Sequence, residues 1–260
     1  MRVEMENPLG ISVNPNNYHL LPQYAAAGIG AVEISLPCAP VDELRPFARE
    51  AYALLQKAGM TLWSVHLPFG RSLDISAPDE AERARVIEEL KQSIDLARGF
   101  GASVLVIHGS SEPNAEDSRP ARLDACEKSL RELQTEAGGM RLAVENLPRT
   151  CIGRAGWEVA RLSEACSGIC FDVNHLLIED HSAFLDATEG RIITTHLSDY
   201  DGVDERHWLP GMGVVPWKLV KDRLVASGYA GPFLFELGLD AGKKPYDPEK
   251  VVSAWRALVG

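Results

Sequence analysis

Eight short apolar runs recur along the chain, interleaved with stretches of helical periodicity. They are PLGISVN (8–14), AVEISLP (31–37), TLWSVHLPF (61–69), ASVLVIHGS (102–110), RLAVENL (141–147), GICFDVNH (168–175), RIITTHLSD (191–199) and PFLFELG (232–238). Most are continuous and rich in Val and Ile, as expected of strands covered on both faces and hence of a parallel sheet. Between them, 42–58, 79–100 and 120–137 carry apolar stripes at helical spacing, with shorter helices expected at 157–166, 216–227 and 248–258. In the longest, Val86, Ile87, Leu90, Ile94 and Leu96 form the stripe; Asp79 and Glu80 favour its start, and Gly99 or Gly101 its end. Strand–helix alternation repeated eight times predicts a (β/α)₈ TIM barrel. The chain has 260 residues, and barrels commonly take about 250. No Pro- or Ser-rich linker and no internal repeat divides it, so one domain is expected over 1–260.

The net charge of -11, from 26 Lys+Arg against 37 Asp+Glu, argues against a nucleic-acid or anionic-membrane surface. Five Cys (38, 126, 151, 166 and 170) include no C-x-x-C pair and read as buried, reduced thiols. The start, MRVEMENPLG, lacks an apolar leader core, and no run reaches the roughly 18 apolar residues of a membrane span, so a cytoplasmic protein is expected.

Four of the apolar runs are interrupted by a potential metal ligand near their far ends: Glu145, Asp172, His196 and Glu236. A polar group in a buried strand is costly unless something satisfies it. C-terminal strand ends of a barrel converge on one face, so the four share one simple partner, a divalent cation. His66, His108, His175 and Asp199 reach the same face, and His207 lies in the long polar connection SDYDGVDERHWLPGMGVVP (198–216). A lone strand-end His is more often a hydrogen-bonded structural residue; four at matching ends, with two Glu and an Asp, fit a metal site better. Three carboxylates and an imidazole suit Mn²⁺, Mg²⁺, Co²⁺ or Zn²⁺. Asn146 and Asn174 stand beside the ligands, Arg149 and Arg154 follow the fifth strand, and Trp208 shapes the rim. His19 and His181 read as surface or capping residues.

The motifs VHLPF, VIHGSSEP, LAVENLPRT, CFDVNHLL, THLSDYD…ERHWLPGMG and FLFEL together resemble the xylose-isomerase-like barrel superfamily over nearly the whole chain. That group includes sugar isomerases and epimerases and the endonuclease IV family. By resemblance to its ketose 3-epimerases, Glu145, Asp172, His196 and Glu236 hold one divalent ion and His175 contacts substrate. Glu145 and Glu236 would then exchange protons with a sugar through an enediolate, with His66, His108, His175, His207 and Arg149 around the substrate. By resemblance to endonuclease IV, His66, His108, His175 and His207 match positions that hold a second and third ion. The loop Asp-x-His pair of that pattern is altered here, since Glu205 stands two residues before His207 and Asp204 one further. The resemblance thus implies a sugar or sugar-phosphate isomerase or epimerase. A zinc-dependent abasic-site endonuclease, a lyase on oxidised glycosides and a non-catalytic binding barrel are the alternatives. The expected partner is a small molecule, with self-association into a homo-oligomer left open.

Overall fold

A computed structural model describes residues 7–259; residues 1–6, part of the segment read above as lacking a leader, lie outside the described residues. The chain runs β1 (Leu9–Val13), α1 (Leu21–Ala27), β2 (Ala31–Ser35), α2 (Val41–Lys57), β3 (Thr61–His66), α3 (Glu80–Gly99), β4 (Val104–His108), α4 (Arg119–Ala137), β5 (Arg141–Glu145), α5 (Gly156–Ser163), β6 (Gly168–Asp172), α6 (His181–Ala187), β7 (Ile192–His196), α7 (Trp217–Ala226), β8 (Phe233–Phe235) and α8 (Pro248–Val259). Strands β1 to β7 pair in parallel, each with the next, and β8 pairs with β1. The last seam, between β7 and β8, is thin. Leu197 N–H donates to Leu234 O at 2.8 Å, and Glu236 N–H donates to Leu197 O at 3.3 Å. The result is a nearly closed (β/α)₈ barrel.

Alternation of side chains along a strand explains the two apolar regions. Residues such as Ile11, Val32, Ile34, Leu105, Val144, Ile169 and Phe171 face the helices and belong to the large core between barrel and helix ring. Val104, Val106, Ala143 and Cys170 form a small separate cluster inside the barrel. Two positions beyond these interior residues lie His108, Glu145 and Asp172. The helices expected from periodicity all form, shifted by up to three residues at their ends. Asp79 caps α3 by accepting Glu82 N–H at 2.9 Å.

One short helix, α6, goes beyond the sequence reading, because seven residues are too few to show a helical period. It corrects the expectation for His181. This residue opens α6, is buried, and donates from Nε2 to Val173 O at 3.2 Å. The expectation of buried thiols holds for Cys126, Cys151 and Cys170, whereas Cys38 is exposed. No helix among the described residues is long and apolar enough to cross a membrane.

Candidate metal centre

Strand register assembles the site. His108 pairs with Glu145 across β4–β5, and Asp172 pairs with His196 across β6–β7. Glu236, one residue past β8, comes in from the seam. One ligand atom from each of Glu145, Asp172, His196 and Glu236 lies within 4.8 Å of the others. His196 Nδ1 is 3.2 Å from Glu145 Oε1, 3.4 Å from Glu236 Oε2 and 4.0 Å from Asp172 Oδ2. Asp172 is wholly buried, and its two oxygens differ. Oδ1 accepts Asn174 N–H at 2.6 Å, turning the chain at the strand end, while Oδ2 has no hydrogen-bond partner. Asn146 fixes the same residue from below: its Nδ2 donates to Asp172 O and its Oδ1 accepts Asp172 N–H, both at 2.8 Å.

The hydrogen bonds of the histidines aim further lone pairs at carboxylates. His66 Nδ1 lies 2.8 Å from Leu67 O, which can only accept, so this nitrogen carries the proton. In the neutral ring the Nε2 lone pair then faces Glu145 Oε2 at 3.1 Å. Two acceptors cannot meet at that distance without a proton or a cation between them. His108 Nε2 approaches the same oxygen at 3.3 Å, and Phe69 stacks on its ring. His175 repeats the pattern, with Nδ1 donating to Asn146 O at 2.9 Å and Nε2 3.6 Å from Glu205 Oε2. His207 Nδ1 lies 3.4 Å from Glu236 O, and its Nε2 is 4.0 Å from Glu205 Oε2. The donor set therefore forms groups that could hold a cation: the four-ligand group, the overlapping Glu145–Cys170–His196, then His66–His108–Glu145 and His175–Glu205–His207. Glu145 turns Oε1 toward the four-ligand group and Oε2 toward His66 and His108.

Without a cation, protons balance the charge. Burial opposes protonation of His175, but Asp172, Glu205 and Glu145 raise its pKa to about 10. His196 is likewise held well above the usual range against burial, by Cys170, Glu33, Glu236 and Glu145. Burial pushes Asp172 up to about 6. Glu145 is held well below the ordinary carboxylate range, since His196 and His108 outweigh its burial.

Asp199, expected to present its charge to the site, instead organises the long connection. Its carboxylate accepts from Tyr200 N, Gly211 N, Val215 N and Trp217 Nε1 at 2.8–3.1 Å. Its backbone pairs with Trp208. A Cβ at Gly213 would collide with Tyr200 O and the Asp199 carboxylate, so the turn requires glycine. This scaffold presents Glu205 and His207. Arg149 does not stand free at the mouth. Its guanidinium binds Glu112 at 2.7 Å, Glu205 at 2.5 Å and Asp204 at 2.9 Å. Arg154 pairs with Glu116, and Arg206 with Asp201.

Two residues went unassigned in the sequence reading. Glu205 was noted only as a departure from a pattern, yet its carboxylate reaches both His175 and His207. Glu33, fully buried on β2, sits inside an apolar run; its Oε1 lies 2.9 Å from His196 Nε2. The mid-run acid in AVEIS was the available signal.

Several known proteins are similar to this chain. An uncharacterized protein, y4fM, of Sinorhizobium fredii is 26% identical over 170 residues, covering 61% of this chain and 55% of its own length. An L-ribulose-5-phosphate 3-epimerase of Salmonella typhi is 23% identical over 195 residues, covering 73% of this chain and 69% of its own. Among solved structures, a D-tagatose 3-epimerase-like protein superposes with a TM-score of 0.80 at 21% identity, covering 96% of each chain. Residues 21–256 match the xylose isomerase-like TIM barrel family. With its eight parallel strands and the match over nearly its full length, the chain belongs to the xylose isomerase-like TIM barrel family.

Proposed function

We propose that this protein is a divalent-metal-dependent isomerase or epimerase acting on a sugar or sugar phosphate. The observation that carries the reading is the buried, unpartnered Asp172 Oδ2 grouped with Glu145, His196 and Glu236. Three carboxylates gathered out of water repel one another unless a cation compensates them. The named epimerases among the relatives support the choice of substrate class. When bound, Mn²⁺, Zn²⁺, Co²⁺ or Mg²⁺ supplies Lewis-acid polarisation of a substrate carbonyl and stabilises the negative charge of an enediolate.

The remaining chemistry belongs to side chains. Glu145, on β5, removes the proton from the carbon beside the carbonyl, and the C–H electron pair moves toward the carbonyl oxygen. Glu236 approaches from across the barrel at the β8 end and returns a proton. Delivery to the opposite face of the same carbon inverts it; delivery to the neighbouring carbon exchanges ketose and aldose. The rings of His66, His108, His175 and His207 bind substrate hydroxyls or, where further ions load, hold those. Arg149 reaches a phosphate only by leaving one of its three carboxylate partners. Metal analysis and deuterium wash-in from D₂O across a panel of ketoses test the proposal. Deuterium is expected at a carbon next to the carbonyl, and its absence from every ketose that binds would sink the reading.

A second reading, a multi-zinc phosphodiesterase of the abasic-site endonuclease kind, is favoured by the two histidine clusters flanking the four-ligand group. The rim opposes it, because Arg149, Arg154 and Arg206 are all engaged by acids. Incision of an abasic duplex by the zinc-loaded protein would decide for it.

A further inference from the structure

Ser12, Glu33 and Ser64 lie side by side across β1, β2 and β3, in register, inside the barrel. All three are buried. Ser12 donates to Glu33 Oε1 at 3.1 Å, and Ser64 donates to Glu33 Oε2 at 2.8 Å. The two hydroxyls hold the carboxyl group with Oε1 2.9 Å from His196 Nε2. The contact meets the distance of a hydrogen bond without its alignment, and Nε2 has no hydrogen-bond partner among the described residues. The opposite nitrogen, Nδ1, faces Glu145, Asp172 and Glu236, and it is within hydrogen-bond distance and alignment of Glu145 Oε1 at 3.2 Å, where a cation would take the place of a proton.

An imidazole can offer a lone pair from only one nitrogen, and the partner of the other nitrogen decides which. Were the proton on Nδ1, it would point at the cation position and block it. From this geometry we infer that Glu33 is a positioning residue: it accepts the Nε2 proton of His196 and so commits Nδ1 to the metal. This rests on the reading of His196 as a metal ligand. A merely structural Glu33 would tie β1, β2 and β3 together without setting the His196 tautomer.

The test compares wild type, Glu33→Gln and His196→Gln by competition of Zn²⁺ and Mn²⁺ against a chelator. Loss of such an outer partner typically weakens metal binding by about 10–100-fold, and Glu33→Gln is expected in that range. The metal-free variant should keep the circular dichroism spectrum of wild type. Affinity within twofold of wild type overturns the inference if His196→Gln loses the ion. If His196→Gln retains wild-type affinity, the reading of His196 as a ligand fails as well. A second measurement needs no variant: ¹⁵N-resolved NMR of the zinc-loaded wild type. It should show the His196 Nε2 proton shifted downfield and protected from exchange. A fast-exchanging, unshifted proton there overturns the inference even if Glu33→Gln does not fold.

Discussion

The two histidine clusters flanking the four-ligand group are built in opposite ways. His66, His108 and Glu145 stand on three neighbouring strands, where backbone pairing fixes their separation. His175, Glu205 and His207 come from a turn and a long loop, half-exposed except for His175. Their placement depends on side chains elsewhere, chiefly Asp199 beneath the loop and Arg149 beside it. Ligands on paired strands are preorganised by bonds that exist for the fold. Ligands on a loop need dedicated supports, which can be removed without touching the barrel.

The contrast can be broken first at Glu145, which serves both the strand-borne cluster and the four-ligand group. Glu145→Gln should lower turnover by about 10²–10⁴-fold, the scale of a lost acid–base group, with the circular dichroism spectrum unchanged; near-native turnover would contradict its role. Chelation of all metal is the next largest perturbation. At a free ion concentration 100 times Kd, bound metal contributes about 2.7 kcal/mol of stability, so the melting temperature should fall and recover on reloading. Hydrogen exchange should then rise more across 198–216 than across β3–β5; a uniform rise would erase the distinction between the clusters.

Asp199→Asn attacks the loop alone. A buried carboxylate that accepts four hydrogen bonds should leave a deficit of about 1–3 kcal/mol when weakened. The expected result is faster proteolysis within 200–216, with ion content of the four-ligand group retained. The smallest effect belongs to Arg149→Ala. Its ion pairs are half-exposed and screened, so stability should change by less than about 1 kcal/mol. Zinc stoichiometry should nevertheless show weaker loading at His175–Glu205–His207, and unchanged loading would assign Arg149 to the surface.

The same division marks what could be read before the fold was known. Eight apolar runs and their helices were legible because a covered parallel sheet leaves long unbroken hydrophobic stretches. Glu145, Asp172 and His196 were legible because each breaks such a run near its end. Glu33 breaks a run just as clearly, but at its middle, and its meaning appears only when the register sets it between Ser12 and Ser64 and opposite His196. Glu205 was hidden among the many acids of a polar loop. The pairing of Arg149 with Asp204 spans 55 positions and has no local trace. The tautomers of His66 and His175 depend on backbone carbonyls, whose positions no residue type reveals.

The thin seam between β7 and β8 has a consequence for how ions enter and leave. Leu197 N–H and O make both of its backbone-to-backbone bonds, one residue after His196, and the second of them ends on the amide of Glu236. A local unzipping of these two bonds would separate an imidazole from a carboxylate while the other seven seams stayed intact. The barrel's weakest stitch thus lies beside its most charged spot, and exchange of the Leu197 amide becomes a direct clock for how often the cage loosens.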